Sequence, residues 1–287
     1  ACFLHQGAGT GLRGRAGRQA PGWCLRLWIA RNDPGEEFRV QLRAAMQQAF
    51  GDAESVGVFV RSDTNVEDLP GFTGAGLNLT VPNVVGFEAV MQAIQLVWAS
   101  PFSERAFAWR QAHMEQPEHV YPAVLLLKTV NAEKSGVLVT TDLDTGDRGW
   151  LSIAASEGVG GAVEGQAAEE LRVDRDSGAV RLLAQASAPL RAEPMPEGGV
   201  GKRPASGRDS VLLPAEIERL RALADDVERR FPMPEIDGGQ RAPADIEFGF
   251  RRGQLALFQI RPFVESARAR RSLYLIEMDR AGGNGGD

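Results

Sequence analysis

Asp245-Ile246-Glu247-Phe248-Gly249-Phe250, then Arg251-Arg252-Gly253, then Gln254-Leu255-Ala256-Leu257-Phe258-Gln259-Ile260-Arg261 is the stretch on which the fold turns. Successive side chains on a strand point to opposite faces, so Ile246, Phe248, Phe250, Ala256, Phe258 and Ile260 are expected on one side. Asp245, Glu247, Gln259 and Arg261 are then expected on the other. A three-residue loop closing on a left-handed glycine fits Arg251-Arg252-Gly253, and this register sets Phe250 opposite Gln254 and Asp245 opposite Gln259. Two carboxylates, an amide and a guanidinium on one wall suit a divalent cation bridging phosphates, with arginine balancing the charge that builds during transfer. A polar face that simply meets water is the other reading, because antiparallel sheets commonly solvate one side.

Working outward, a second polar segment runs Arg61-Ser62-Asp63-Thr64-Asn65-Val66-Glu67-Asp68-Leu69-Pro70-Gly71-Phe72-Thr73-Gly74-Ala75-Gly76. It follows a short apolar strand pattern from Val56 to Arg61. An arginine at a strand end, followed by hydroxyl and glycine residues whose backbone amides lie open, makes an anion cradle. Thr73 and Gly74 are its candidate nucleotide contacts. An ordinary glycine-rich connection is the alternative for this segment alone.

The 287 residues suffice for one large or two ordinary domains, and 43% apolar residues supply a core. A formal charge of −6 argues against a nucleic-acid partner, which calls for a basic face. The longest strongly apolar run, Ala123 to Leu127, is far too short to span a bilayer, so no membrane partner is expected and the location is read as cytoplasmic. Cys2 and Cys24 lack zinc-ligand spacing, so any metal is held by oxygen. His5, His113 and His119 show no pairing with a nucleophile in sequence.

Residues 1–31 are rich in glycine and arginine and contain no acid, unlike the remainder, and are read as an atypical segment foreign to the domain, disordered or non-native. The formal match Gly9-Thr10-Gly11-Leu12-Arg13-Gly14 has no strand before it and no helix pattern after it, which argues against a dinucleotide site. Helices are expected from Asp33-Pro34-Gly35-Glu36 onward with Phe38, Leu42, Met46 and Phe50 buried, over Phe87 to Trp98, on to Trp109, and from Pro214 through Phe231. Strands are expected at Ala123 to Val130, Gly136 to Thr141, Trp150 to Ala154, Leu171 to Val173 and Val180 to Ala184, with residues 187–213 a long loop or linker. Boundaries follow at 32–122, 123–266 and a tail at 267–287.

The segment from Arg61 to Gly76 closely resembles the nucleotide-binding domain of pyruvate phosphate dikinase and phosphoenolpyruvate synthase, with glucan water dikinase in the same group. The likeness extends through Trp98-Ala99-Ser100-Pro101-Phe102-Ser103-Glu104-Arg105-Ala106, Lys134-Ser135-Gly136-Val137-Leu138, Asp142 with Thr145-Gly146, Glu157-Gly158-Val159-Gly160, and Asp245-Ile246-Glu247 with Gln259-Ile260-Arg261-Pro262. The resemblance implies an α+β, ATP-grasp-like fold: two lobes with mostly antiparallel sheets and flanking helices hold ATP and Mg2+, the N-terminal lobe here being incomplete. By position, Arg61 and Arg261 look like the phosphate-contacting, catalytic arginines. Glu247 and Gln259 look like metal ligands, with Asp245 beside them on the nucleotide. Leu127, Lys128 and Thr129 match the strand whose backbone meets adenine, and Glu157, Gly158 and Gly160 the glycine loop.

In such enzymes a phosphoryl group passes from ATP to a histidine on another domain, so the implied partner is a phosphohistidine domain in trans or in a longer parent, and the domain is not expected to act alone. Residues 1–50 contain no lysine, Gly161 stands where the family has a glutamate, and Leu143 where it commonly has proline. Those departures keep a second reading open, a degenerate module that binds nucleotide or serves as a scaffold without catalysis.

Overall fold

The computed structural model describes residues 22–65, 68–69, 72–73, 79–162, 165–236 and 239–263. The expectations for residues 1–21, for Gly74 and for the tail 267–287 fall outside these. The architecture is α+β, with mostly antiparallel sheets and a few helices. Internal contacts divide the chain into two units, Ala1–Leu69 with Gly74–Lys128, and Pro70–Thr73 with Thr129–Asp287.

The first unit opens with helix α1, Gly22–Arg31, which the sequence reading did not contain. It packs on a later helix and buries Cys24, although Leu25, Leu27 and Trp28 stay exposed. Helix α2, Glu36–Phe50, buries Met46 and rests Phe38, Leu42 and Phe50 against the same core, as their spacing predicts. Its start differs from the expected cap. Asp33 Oδ1 accepts from the Gly35 amide at 2.7 Å, and Gly35 at φ 104 occupies the N-cap, a backbone region open to glycine. Strand β1, Gly57–Thr64, is followed by the short strands β2, Asp68–Leu69, and β3, Phe72–Thr73, then by β4, Thr80–Val85. Helix α3, Phe87–Ala99, buries Phe87, Val90, Met91, Ile94 and Val97 on one side of the sheet, and α4, Glu104–His113, starts at Ser103, whose hydroxyl accepts from the Ala106 amide.

Strand β5, Pro122–Lys128, completes a three-stranded sheet in the order β4-β1-β5. It pairs with β1 without interruption from Thr64↔Pro122 to Val58↔Lys128. The boundary between the units therefore falls after Lys128, later than sequence alone put it. Val58 and Val60 point into the core under α3, so Phe59 and Arg61 take the opposite face.

The second unit is built on a six-stranded antiparallel sheet that comprises β6, Lys134–Val139; β7, Trp150–Glu157; β8, Glu169–Asp174; and β9, Val180–Ala184, joined later by a final hairpin. Between β9 and the next helix, β10, Leu190–Pro194, pairs with β11, Val200–Pro204. The stretch read as a loop thus carries a hairpin of its own, which lacks clean alternation because most of its side chains are exposed or half-buried. Helix α5, Pro214–Arg230, lays Ile217, Leu220, Ala224 and Val227 over Leu138, Leu151, Ile153, Leu171, Val173, Ile246, Phe248 and Phe250. Each fully buried side chain of this kind contributes about 1.5–3 kcal/mol. Glu216 fixes the start of α5 by accepting from the Leu213 amide at 2.8 Å and from Lys134 Nζ at 2.7 Å. After the two-residue strands β12, Glu235–Ile236, and β13, Gln240–Arg241, come β14, Ala244–Arg251, and β15, Gln254–Pro262.

This last hairpin departs from the expected register in two linked ways. The loop has two residues: Arg252 at φ 50 and Gly253 at φ 70, both left-handed, make a tight turn with Arg251 opposite Gln254 and Phe250 opposite Leu255. Phe258 is then an extra residue in β15, a bulge that carries the pairing from Phe248↔Leu257 to Glu247↔Gln259. Asp245 consequently opposes Arg261, not Gln259. The apolar set changes as well. Ile260 packs on the core beneath α5 as expected and Leu255 joins it, whereas Ala256, opposite Gly249, and Phe258 leave the expected core face, the Phe258 ring lying over Gly249, where a Cβ would come within 2.5 Å of it.

Candidate functional site

On β14 the even-numbered residues face the core and Asp245, Glu247 and Gly249 face away from it. The Arg261 guanidinium reaches across to Asp245, with Nε 2.7 Å from Oδ2. The carboxylate is 11% exposed and the guanidinium 25%, so the pair sits at the edge of solvent. The other carboxylate oxygen, Asp245 Oδ1, is buried and has no hydrogen-bond partner among the described residues. Such an oxygen is costly to leave unsatisfied, and it is suited to accept a donor or cation. Glu247 and Gln259 stand opposite one another two residues further along on the same face, both half-buried. On the adjacent strand Val139 opposes Asp245 and Val137 opposes Glu247, flooring the polar wall with apolar side chains. The register therefore brings these four polar residues to one face of two paired strands.

The glycine loop after β7 is anchored on the same face. Gly158 donates to the Glu133 carbonyl at 2.8 Å, Val159 to the Ala192 carbonyl at 2.9 Å, and Gly160 to the Ser135 hydroxyl at 3.0 Å. Gly158 has φ +79, and a Cβ there would lie 2.1 Å from the Ala192 carbonyl oxygen, so backbone approach demands glycine. Glu157 accepts from the Ser206 amide at 2.9 and 3.1 Å, from its hydroxyl, and from Arg191 at 3.5 Å. Burial pushes the Glu157 carboxyl up, but the Ser206 and Arg191 donors outweigh it and hold the group below its ordinary value. Val159, Ala192, Ala132, Val130 and Phe258 form a small apolar cluster beside the loop. Beyond Gly158 opens a polar cleft of about 220 Å³ lined by Asn131, Glu133, Arg191, Glu193, Arg251 and Arg252.

The remaining predicted residues belong to different parts of the chain. Arg61 lies in β1 between Thr80 and Leu125, on the sheet face away from α3. Leu127 and Lys128 end β5 opposite Phe59 and Val58, and Lys128 is exposed. These three belong to the first unit; Thr129, Glu157, Gly158, Gly160, Asp245, Glu247, Gln259 and Arg261 belong to the second. Thr129 Oγ1 is buried without a hydrogen-bond partner among the described residues. The backbone of Thr73 lies in β3, and Gly74 is outside the described residues.

A family model described as pyruvate phosphate dikinase, AMP/ATP-binding domain, matches residues 24–278. The chain belongs to this family. This dikinase-family domain is 30% identical over 253 residues to phosphoenolpyruvate synthase of Pyrococcus furiosus, which covers 83% of the chain and 30% of that protein. It is 31% identical over 218 residues to rifampicin phosphotransferase of Bacillus cereus, 74% of the chain and 24% of that protein. It is 29% identical over 277 residues to phosphoenolpyruvate synthase of Deinococcus radiodurans, 92% of the chain and 34% of that protein. The dikinase-family domain thus spans about a third or less of the length of these relatives.

Two sets of residues around the site were not singled out from sequence. Val137 and Val139 alternate visibly along β6, and that alternation was the available signal for the apolar floor. Ser206 and Arg191, which hold Glu157, lie in the Pro- and Gly-containing stretch read as a loop, and nothing in that stretch pointed to them. Among the described residues no group of three or more His, Cys, Asp or Glu could hold a metal ion, and no helix is long and apolar enough to cross a membrane.

Proposed function

We propose that this ATP-binding, dikinase-type domain holds the triphosphate of ATP against the β14–β15 wall, in an ATP-grasp-like arrangement of two lobes. The observation that carries the reading is the Asp245–Arg261 pair at 2.7 Å with Asp245 Oδ1 left over beside Glu247 and Gln259. A spare buried carboxylate oxygen flanked by a second carboxylate and an amide oxygen fits Mg2+, which takes a few protein oxygens and completes its shell from phosphate and water. Glu247 and Gln259 would hold the ion with Asp245 at its side, and when bound it would neutralise charge shared between phosphate oxygens. Arg261, oriented by Asp245 before substrate arrives, would balance the charge on the phosphoryl group in transit.

Arg61 is assigned to the phosphates, with Thr73 and Gly74 as further contacts. Leu127, Lys128 and Thr129 are assigned to the adenine, and Glu157, Gly158 and Gly160 to the loop beside it. The polar cleft at Arg251 and Arg252 leaves open space at the turn end of the same face. The acceptor of the phosphoryl group would be a histidine on a further domain, consistent with relatives about three times as long, and the setting is read as cytoplasmic. The two lobes, expected from sequence at 32–122 and 123–266, are proposed to divide after Lys128 instead, which keeps β5 with β1 in the first and includes α1 there.

The test is thermal unfolding of the chain with Mg2+ and ATP. A ligand at one hundred times its Kd stabilises the native state by about 2.7 kcal/mol, so a clear rise in Tm is expected, dependent on Mg2+ and reduced in Arg261→Ala. No shift at millimolar nucleotide would count against the proposal. A second reading, a non-catalytic module, is favoured by Gly161, which stands where the family has a glutamate. Product analysis on the longer parent separates the two: AMP supports dikinase chemistry, and nucleotide binding without turnover supports the module.

A further inference from the structure

We infer that Glu157 is a positioning residue: with Ser206 and Arg191 it forms a clasp that fixes the glycine loop Gly158–Gly161 for the nucleotide, without touching the nucleotide itself. This rests on the nucleotide-binding reading above and replaces its direct role for Glu157. Glu157 is engaged by an amide, a hydroxyl and a guanidinium from 34 to 49 residues away in sequence. The Ser206 amide bonds both carboxylate oxygens, and Arg191 is itself held by Glu193 at 2.7 Å.

The same segment delivers the backbone on which the loop rests. Ala192, next to Arg191, pairs with Gly158 in parallel and accepts from the Val159 amide. The β10–β11 hairpin is therefore attached to the loop twice, by backbone at Ala192 and by side chain at Glu157. Glycines at 158 and 160, both with positive φ, leave an untethered loop many conformations. Restricting them in advance lowers the ordering cost paid on binding. Ser206 lies in an exposed loop after β11, so the hydroxyl can be removed without opening a cavity in the core.

The experiment is a double-mutant cycle of Glu157→Gln and Ser206→Ala in the whole chain. It is read by calorimetric titration with Mg2+ and ATP and by hydrogen exchange of the Gly158, Val159 and Gly160 amides without nucleotide. Each single variant should weaken ATP about tenfold, the loss expected for one charge-assisted hydrogen bond, and the double variant should be no weaker than either. Ser206→Thr should restore affinity, and Tm without nucleotide should stay near that of the parent chain, which a purely structural role would not permit. Loop exchange should rise about tenfold in Ser206→Ala. If Glu157→Gln weakens ATP while Ser206→Ala does not, Glu157 touches the nucleotide and the clasp role is overturned. Unchanged loop exchange in Ser206→Ala overturns it whether or not ATP binds. Faster exchange in a chain that never binds ATP instead supports the clasp and sinks the nucleotide reading.

Discussion

Replacing Glu169 by alanine should cost the second unit about 3 kcal/mol. Glu169 is 1% exposed on the core face of β8, where its Oε2 accepts from the Val211 amide at 2.8 Å and its Oε1 from the Leu212 amide at 3.0 Å. Val211 and Leu212 are themselves 5% and 2% exposed, so water cannot easily replace the lost acceptor. Each buried N–H left without a partner costs about 1–3 kcal/mol, roughly 2–6 kcal/mol for the two. Removing the carboxylate also removes the cost of burying its charge, which draws the expectation into the lower half of that range. At roughly 2–4 °C per kcal/mol for a unit of this size, Tm should fall by about 6–12 °C. Urea unfolding at constant m-value measures the loss directly. Glu170→Ala, on the exposed neighbour, should stay within about 0.5 kcal/mol. A loss below about 1 kcal/mol for Glu169→Ala, or an equal loss for Glu170→Ala, would show that the paired amides are not what holds the segment before α5.

Glu228 of α5 is half-buried beside Arg175, which it meets at 2.7 Å, and Arg148, at 3.3 Å. Burial pushes its carboxyl up, yet the hydrogen bonds from Arg175 and Thr140 and the two positive charges bring it below the ordinary 4.5. A depressed folded value means that this stabilisation is complete above the unfolded value and fades as pH falls through the folded one. Glu228→Gln should therefore lower stability at neutral pH and flatten its decline below about pH 4.5, as followed by chemical unfolding across pH. At the hairpin turn, Arg252→Asn should raise stability by about 0.5 kcal/mol, because asparagine accepts the left-handed backbone more readily than arginine and Asn-Gly favours this turn. A loss in the same unfolding assay would contradict the two-residue loop.

Much of this fold could be read from spacing. The stripes Phe38-Leu42-Met46-Phe50, Phe87-Val90-Met91-Ile94-Val97 and Ile217-Leu220-Ala224-Val227 all pack as their helical period requires. The partners of β14 were harder. Strand alternation assigned Ile246, Phe248 and Phe250 to the core, but a turn one residue shorter and a bulge at Phe258 each shift the pairing by one residue in the same direction, so the far end of β15 keeps its facing while its partners on β14 move by two. Alternation alone does not detect an inserted residue when both flanks stay apolar, as Leu257-Phe258 does. The β10–β11 hairpin escaped because its residues rest on the glycine loop and on solvent, and so carry no periodic apolar signature. At the site, the residue types at 245, 247, 259 and 261 were legible, whereas the Asp245–Arg261 contact depended on register.

The odd residue in β15 divides the ribbon into two stretches with independent phase. Toward the tip, side chains follow the count set by Arg252-Gly253; past Phe258, they follow the count set by β6 and the chain leaving at Pro262. A gain or loss of one residue at the tip can be absorbed by reshaping that slack, without rotating Gln259 or Arg261 out of place. The loop end of the ribbon is thus free to drift in length and composition across descendants, while the polar end keeps its alignment.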